Sequence, residues 1–131
     1  MANVLLDTTV AIDLLRATPA AVEWLREVQA RGDTPFVCAV TVEEVTVGLR
    51  PREREAAAAL FEGLVPAPLA ISEGRLAGWW RQRFRARGRT LSQGDCLIAA
   101  SAVGIGGRLA TGNPKDFPMK DVELEPVRAG R

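Results

Sequence analysis

The chain has 131 residues, which is enough for one domain with a hydrophobic core and too few for two. Hydrophobic residues make up 47% and charged residues 25%, and 17 basic against 16 acidic residues give a formal net charge of +1, as in an ordinary globular protein. The absence of histidine excludes Ser-His-Asp and Cys-His catalysis as well as His-ligated zinc. We therefore expect residues 1–131 to form a single domain.

The charges are unevenly distributed along the chain. Residues 1–74 hold 6 basic and 11 acidic residues, whereas residues 75–131 hold 11 basic and 5 acidic residues. The two cysteines, Cys38 and Cys96, lie in apolar runs and are predicted to be buried free thiols, which suits a reducing compartment. No apolar run approaches the roughly 20 residues of a membrane span, and the N-terminal residues lack the pattern of a signal peptide. We therefore expect a cytoplasmic protein without a membrane segment.

The predicted elements begin with an apolar run at residues 4–6, which is typical of a buried parallel strand. Thr8 or Thr9 is predicted to cap the helix that follows. Pro19 fits the first turn of the next helix, which ends at residues 32–33.

A second strand is predicted at residues 36–40. Thr41 is expected to open a helix that ends near Gly48, and Pro51 to begin another that continues to Val65. The apolar residues of this helical pair could line a groove for a partner helix, but core packing is the favoured interpretation for most of them: Val45, Leu49, Leu60, Phe61 and Leu64.

The remaining elements alternate in the same way. A third strand is predicted at residues 69–71, followed by helices that begin at Ser72 and Ser92 and end at Gly88 and Gly104. A fourth strand at residues 108–111, a turn at residues 112–114, an edge strand at residues 122–125 and a frayed tail at residues 128–131 complete the chain. Alternating strands and helices predict a parallel sheet with helices on both faces.

Four carboxylates follow strands or begin helices in this arrangement: Asp7, Glu44, Asp95 and Asp116. Ligands of such folds bind beyond the carboxyl ends of the strands, so we expect the four to share that edge. Each also has a structural interpretation. Glu44 and Asp95 are the last residues of helix-capping patterns that begin at Thr41 and Ser92, and Asp7 and Asp116 fit turns.

Taken together, the four carboxylates favour a cation site. Two carboxylates about 4 Å apart repel by roughly 4 kcal/mol at an effective dielectric constant near 20, and a divalent cation offsets that repulsion. Oxygen ligands without histidine or cysteine favour Mg²⁺ or Mn²⁺ over zinc. Such a site can activate water for an in-line displacement at phosphorus.

Four sequence blocks resemble the PIN-domain family. Asp7-Thr8-Thr9-Val10 is similar to the family's opening motif, and Glu44-Val45-Thr46-Val47-Gly48 to its Glu-x-x-x-Gly helix. Residues 91–100 and 111–117 are similar to its Asp-x-x-Ile-Ala-Ala helix and its Thr-x-Asn-x-x-Asp-Phe segment. The blocks occur in the family's order across nearly the whole chain. The short length further resembles the VapC-type ribonuclease toxins of type II toxin–antitoxin pairs.

This resemblance implies a PIN-like three-layer α/β/α fold with a central, mainly parallel sheet of four or five strands. It also implies an endoribonuclease that hydrolyses single-stranded or looped RNA through metal-activated water. Mg²⁺ or Mn²⁺ would be held by Asp7 and Asp95, with Glu44 and Asp116 completing the acidic site, in part through water. It further implies a homodimer, a neutralising VapB-type antitoxin, and contact with DNA only indirectly through that antitoxin.

Three polar residues are candidates for supporting this site: Thr9, Thr111 and Asn113. A threonine hydroxyl could orient a carboxylate or a water molecule, and Asn113 could hold Asp116 in place. Strand-end or capping threonines and a turn asparagine before proline explain the same residues equally well.

Residues 75–89 contain six arginines and no carboxylate. We favour Arg85, Arg87 and Arg89 for RNA contact, because they lead into the Asp95 helix and arginine binds phosphate bidentately. A solvated helix face is the alternative. Trp79 and Trp80 are adjacent and cannot share one helical face, so one is expected in the core and the other partly exposed, where a dimer or antitoxin surface could use it.

Two other function classes are compatible with carboxylates at strand ends. A phospho-receiver module is disfavoured because Asp7 has no acidic neighbour and no aspartate follows the predicted third strand. A phosphatase of the haloacid dehalogenase type requires an Asp-x-Asp motif, and Asp7-Thr8-Thr9 lacks the second carboxylate.

Overall fold

The computed structural model describes residues 1–128 and contains a central sheet of five parallel strands in that part of the chain. The strands are β1 (Asn3–Leu6), β2 (Thr34–Cys38), β3 (Val65–Ala67), β4 (Arg108–Thr111) and β5 (Leu124–Pro126). Their order across the sheet is β3-β2-β1-β4-β5, with β1 in the centre. The parallel sheet predicted from the alternation of elements is confirmed.

Six helices cover the sheet within the same residues: α1 (Thr8–Leu15), α2 (Pro19–Ala30), α3 (Ala39–Val47), α4 (Arg54–Glu62), α5 (Ile71–Arg85) and α6 (Gln93–Gly104). Short 3₁₀ turns form at Pro51–Glu53 and Pro114–Asp116. No helix among residues 1–128 combines the length and the hydropathy needed to cross a membrane.

The three layers follow from the alternation of side chains along the central strand. Leu5 packs in a core with residues of α5 and α6, including Trp80 and Ile98. Val4 and Leu6 point to the opposite face and pack in a core with residues of α1 and α2. The sheet therefore separates two hydrophobic cores, and the predicted α/β/α architecture is confirmed.

The strand register brings the ends of β1 and β4 together. Leu6 pairs with Ala110, and the backbone N–H of Asp7 donates to the carbonyl of Ala110 at 3.0 Å. Asp7 and Thr111 therefore lie side by side where the two strands end.

Helix α1 begins one residue earlier than predicted. Asp7, and not Thr8 or Thr9, is the N-cap, because its carboxylate accepts the backbone N–H of Val10 at 3.0 Å. Aspartate is a stronger N-cap than threonine, so the residue that ends the strand also starts the helix.

The predicted boundary between the second strand and its helix was wrong by two residues. Strand β2 ends at Cys38 and α3 begins at Ala39, so Thr41 is inside the helix and does not cap it. The β-branched residues near Thr41 favour a strand by local propensity, but tertiary packing overrides that preference.

The predicted third strand at residues 69–71 was also wrong. Strand β3 is formed by Val65–Ala67 at the edge of the sheet, where Pro66 is tolerated because its missing N–H is not needed. Ile71 is 79% exposed and begins α5, whose first turn is closed by Glu73 accepting the Ala70 N–H at 2.7 Å. Ser72 therefore does not cap this helix.

Smaller differences occur at three other boundaries. Helix α4 follows a 3₁₀ turn and ends at Glu62, α5 ends at Arg85, and β5 is shifted to Leu124–Pro126. Of the predicted tail, Arg128 is exposed and residues 129–131 lie outside the described residues.

The predicted burial of both cysteines and of one of the two adjacent tryptophans is confirmed. Cys38 and Cys96 are free and buried. Burial raises the pKa of the Cys96 thiol to about 11, so it is not a reactive thiolate at neutral pH. Trp80 is fully buried, whereas its neighbour Trp79 is 58% exposed.

Candidate active site

Asp7 lies at the carboxyl end of β1 and is 3% exposed. Its Oδ1 accepts the Thr9 hydroxyl at 2.6 Å in addition to the Val10 N–H. Burial raises the pKa of Asp7, and hydrogen bonds from Thr111 and Thr9 oppose that rise. Asp7 is therefore a buried carboxylate held in one orientation.

Thr9 and Thr111 join the ends of the two central strands. Thr9 donates to Asp7 and accepts the Gly112 N–H at 2.9 Å, and Thr111 accepts the Asn113 N–H at 2.9 Å. A Cβ at Gly112 would approach the Thr9 hydroxyl oxygen to 3.2 Å, which is a tight contact. The two predicted supporting threonines therefore lie at the edge where Asp7 lies.

Asp95 lies in the first turn of α6. Ser92 caps this helix as predicted and accepts the Asp95 N–H at 3.1 Å. Burial raises the pKa of Asp95, the hydrogen bond with Ser92 opposes this rise, and the charges of Asp116, Glu44 and Asp7 raise the pKa further. The four predicted carboxylates are thus electrostatically coupled at one edge of the sheet.

Glu44 lies in the second turn of α3, facing α1 and α6. Its Oε1 accepts the hydroxyl of Thr8, and the hydroxyl oxygens of Thr8 and Thr41 are 3.2 Å apart. A Cβ at Gly94 would lie only 2.8 Å from Oε2 of Glu44. Glycine at this position therefore allows Glu44 to lie against the first turn of α6, next to Asp95.

Asp116 lies in the turn after β4 and is exposed. Asn113 donates its amide Nδ2 to Oδ2 of Asp116 at 2.9 Å, which is the positioning contact that the sequence suggested. Arg89 donates to the carbonyl oxygen of Lys115 at 2.7 Å, so the segment that leads to α6 is tied to this turn.

The three arginines predicted to contact RNA have different surroundings. Arg89 lies next to the Asp116 turn, as its bond to Lys115 shows. Arg87 lies 5.8 Å from the centre of the Phe84 ring, and Arg85 lines an exposed groove on α5. Only Arg89 directly contacts an element of the acidic edge.

The carboxylates fit a hard cation by their donor chemistry, since they offer oxygen atoms only and repel one another without a cation. They do not form a closed cage: among residues 1–128, no three Asp, Glu, Cys or His side chains are grouped closely enough to ligate one ion. Glu44 is bonded to Thr8 and Asp116 to Asn113. This arrangement fits a cation held directly by few carboxylates and otherwise by water.

Sequence reasoning missed Thr8, Thr41 and Gly94, which determine where Glu44 lies. Thr8 adjoins Asp7 and Thr41 lies three residues before Glu44, so both were visible as neighbours of candidate residues. Their contact depends on how closely α1, α3 and α6 approach one another, which spacing along the chain does not give.

Comparisons with known proteins agree with this architecture. The PIN domain family matches residues 4–122. Ribonuclease VapC19 of Mycobacterium tuberculosis is 34% identical over 115 residues, which cover 88% of this chain and 92% of that protein. Ribonuclease VapC10 of the same organism is 36% identical over 124 residues, which cover 94% and 91%.

Solved structures show the same fold. VapBC2 from Rickettsia felis, bound to a DNA fragment from its promoter, aligns with a TM-score of 0.85 at 18% identity over 95% of this chain and 98% of that chain. VapBC-1 from nontypeable Haemophilus influenzae aligns with a TM-score of 0.80 at 21% identity over 95% and 97%. With the family match and the two relatives above 30% identity, the chain belongs to the PIN-domain family and is of the VapC type.

Proposed function

We propose that the chain is a Mg²⁺- or Mn²⁺-dependent endoribonuclease and the toxin of a toxin–antitoxin pair. The observation that carries this proposal is the placement of the carboxylates: Asp7 lies where β1 ends beside β4, Asp116 follows β4, and Glu44 lies against the first turn of α6, which carries Asp95. The names of the relatives, ribonucleases VapC19 and VapC10, support ribonuclease activity.

In this proposal Asp7 and Asp95 hold the cation, and Glu44 and Asp116 contribute through water. The bound cation would lower the pKa of a water molecule and offset the negative charge that develops at the phosphate. Asp7 suits a ligand role because Thr9 and Val10 fix its carboxylate.

The remaining carboxylates orient water and substrate. Thr8 bonds to Oε1 of Glu44, which leaves Oε2 to accept a hydrogen bond from a water molecule. In the hydrolysis, the water oxygen forms a bond to phosphorus, one bridging P–O bond breaks, and the leaving oxygen takes up a proton. Arg89, beside the Asp116 turn, and the nearby Arg85 and Arg87 are proposed to contact the RNA phosphates.

An antitoxin of the VapB kind is the proposed protein partner, and the solved VapBC complexes support it. A small groove of about 90 Å³ beside α1 and α3 is lined by apolar Ile12, Leu15, Val45 and Leu49 and by charged Arg16, Glu53 and Glu44, the last of which lies at the acidic edge. A partner side chain seated there would lie next to the proposed site. DNA would be contacted only through this antitoxin.

A homodimer is also proposed. Val65 on the edge strand β3, Leu69 and Ile71 are exposed apolar residues close together in the chain. Burial of such residues between two copies would be favourable, and sedimentation of the purified chain tests it.

The test of the proposed activity is RNA cleavage by the purified chain with Mg²⁺ or Mn²⁺. Asp7→Asn and Asp95→Asn each keep the size of the side chain. Asparagine can also replace Asp7 as the N-cap of α1, so both variants should fold. We expect each variant to lower cleavage at least about 100-fold, with an unchanged circular dichroism spectrum.

Glu62→Gln, an exposed carboxylate substitution on α4, is the matched control and should cleave as the wild type does. Normal cleavage by either aspartate variant would contradict the assignment of the site. Absence of metal-dependent cleavage in the wild type over a broad set of RNAs would contradict the function.

A further inference from the structure

An exposed groove on α5 lies outside the acidic site. It has a volume of about 470 Å³ and is lined by Arg75, Gly78, Trp79, Arg81, Gln82 and Arg85. Trp79 is 58% exposed, whereas its neighbour Trp80 is in the core. The groove therefore combines an exposed aromatic ring with arginines on one helix.

The groove carries positive charge that is not neutralised locally. Arg75, Arg81 and Arg85 form no ion pair with a carboxylate in the described part of the chain. No acidic residue occurs between Arg75 and Arg89. Such a surface favours an anionic ligand.

Gly78 leaves part of the groove without a side chain. A Cβ at Gly78 would have no atom within 4 Å, so the position faces open space beside Trp79. Glycine in a helix interior costs about 1 kcal/mol relative to alanine, and no packing contact requires it here. The missing side chain therefore leaves open surface next to Trp79 in the chain.

The groove leads towards the acidic edge. Glu73 at the start of α5 contacts Gly104 at the end of α6, so the two helices run antiparallel. The end of α5, which carries Arg85, therefore lies on the side of the beginning of α6, where Asp95 lies.

We propose that Trp79 stacks an unpaired base of the RNA substrate, while Arg75, Arg81 and Arg85 hold the adjoining phosphates. Stacking on an aromatic side chain combined with arginine contacts to phosphates is the physical basis of single-strand binding. A second copy of the chain fits this face less well, because it would bring together two basic surfaces that offer no carboxylate between Arg75 and Arg89 to pair with them. This inference rests on the proposed ribonuclease function.

The test measures binding of a fluorescein-labelled single-stranded RNA of about 12 nucleotides by fluorescence anisotropy. It uses the Asp95→Asn variant as the parent so that the probe is not cut. Trp79→Ala in this background should weaken binding roughly 5- to 150-fold, and Trp79→Phe should weaken it less. Arg52→Gln and Val103→Ala, which are exposed positions outside the groove, should leave the affinity unchanged.

Two further measurements separate stacking from loss of structure. Gly78→Leu fills the groove while improving helix propensity, so it should weaken RNA binding without lowering the melting temperature. With a probe of the same length that carries abasic sites, Trp79→Ala should have little further effect, because no base remains to be stacked.

Equal affinity of the parent and Trp79→Ala for the normal probe would overturn the proposed stacking on Trp79 and leave the proposed activity intact. A changed sedimentation coefficient in Trp79→Ala with unchanged RNA affinity would assign the face to a second copy and also overturn it. A parent that binds no probe would overturn the proposed stacking on Trp79. Only the absence of metal-dependent cleavage by the wild type would overturn the proposed activity.

Discussion

At the scale of residues, the hydroxyl of Thr9 connects the two halves of the acidic edge. It donates to Asp7 at the end of β1 and accepts the N–H of Gly112 after β4. Because Asp7 is almost fully buried, its orientation depends on such partners more than on solvent. Thr9 is therefore a positioning residue in the proposed site.

The substitution Thr9→Val keeps the shape of the side chain and removes both hydrogen bonds. We expect RNA cleavage to fall about 10- to 100-fold, as is usual when a partner of a metal ligand is lost. The concentration of Mn²⁺ that gives half-maximal cleavage should rise as well, because Asp7 is less well oriented. Thr34→Val on β2 is the matched control, and equal losses in both variants would show that Thr9 has no special role.

At the scale of elements, the helix caps separate what sequence can predict from what it cannot. Ser92 before α6 was predicted correctly, because a serine with an aspartate three residues later is a local signal. The similar pattern at Thr41 was misleading, because α3 begins at Ala39 and Thr41 is buried against Thr8 of α1. Local chemistry therefore identified Asp95 and Glu44 as candidates but not how Glu44 is held.

The position of the edge strand β3 could not be predicted from local sequence either. The apolar residues 69–71 fit a strand better than Val65–Ala67, which contains a proline, yet the latter pairs with β2. Which short apolar segment joins a sheet is decided by the reach of the connecting chain and by the free edge of β2. The sequence pattern predicts the number of layers and the order of elements, but not this choice.

A network of ion pairs ties several elements together far from the acidic edge. Arg108 at the start of β4 donates to Glu125 of β5 at 2.9 Å and to Asp33 before β2 at 3.0 Å. Trp24 of α2 donates to Glu125, and Arg31 contacts both carboxylates. Sequence reasoning missed this network because its members are separated by up to 101 residues.

The network predicts how stability depends on pH. The Ala2 N–H, together with Arg108 and Arg31, holds the pKa of Asp33 below its ordinary value of 3.8. Burial would raise the pKa of Glu125, but Trp24, Arg108 and Arg31 hold it below 4.5. A lowered pKa in the folded state stabilises the fold at pH values above the unfolded pKa, so stability should fall as the pH drops below about 4.5.

Arg108→Gln tests this prediction by thermal unfolding between about pH 3 and pH 7. We expect the variant to have a melting temperature roughly 3–6 °C lower at neutral pH and a weaker loss of stability with acid, because both carboxylates lose their main cation. Arg26→Gln, which removes an exposed ion pair with Glu23, should leave both quantities unchanged. An acid profile of Arg108→Gln equal to that of the wild type would contradict the role of the network.

At the scale of the whole molecule, the fold groups carboxylates that repel one another at one edge of the sheet and pairs other carboxylates with arginines in the ion-pair network. Asp7 and Asp95 both have raised pKa values, so their ionised forms reduce the stability of the metal-free protein. A cation bound at the acidic edge would offset this cost. We therefore expect metal binding to stabilise the whole chain through Asp95.

Thermal unfolding of wild type and Asp95→Asn, each with and without Mn²⁺, tests this central claim most directly. We expect Asp95→Asn to be the more stable protein without metal, because one repelling charge is removed. With Mn²⁺ at about 100 times its dissociation constant, the wild type should gain about 2.7 kcal/mol and the variant little or nothing. No gain in the wild type, or an equal gain in both proteins, would contradict a metal site at the acidic edge.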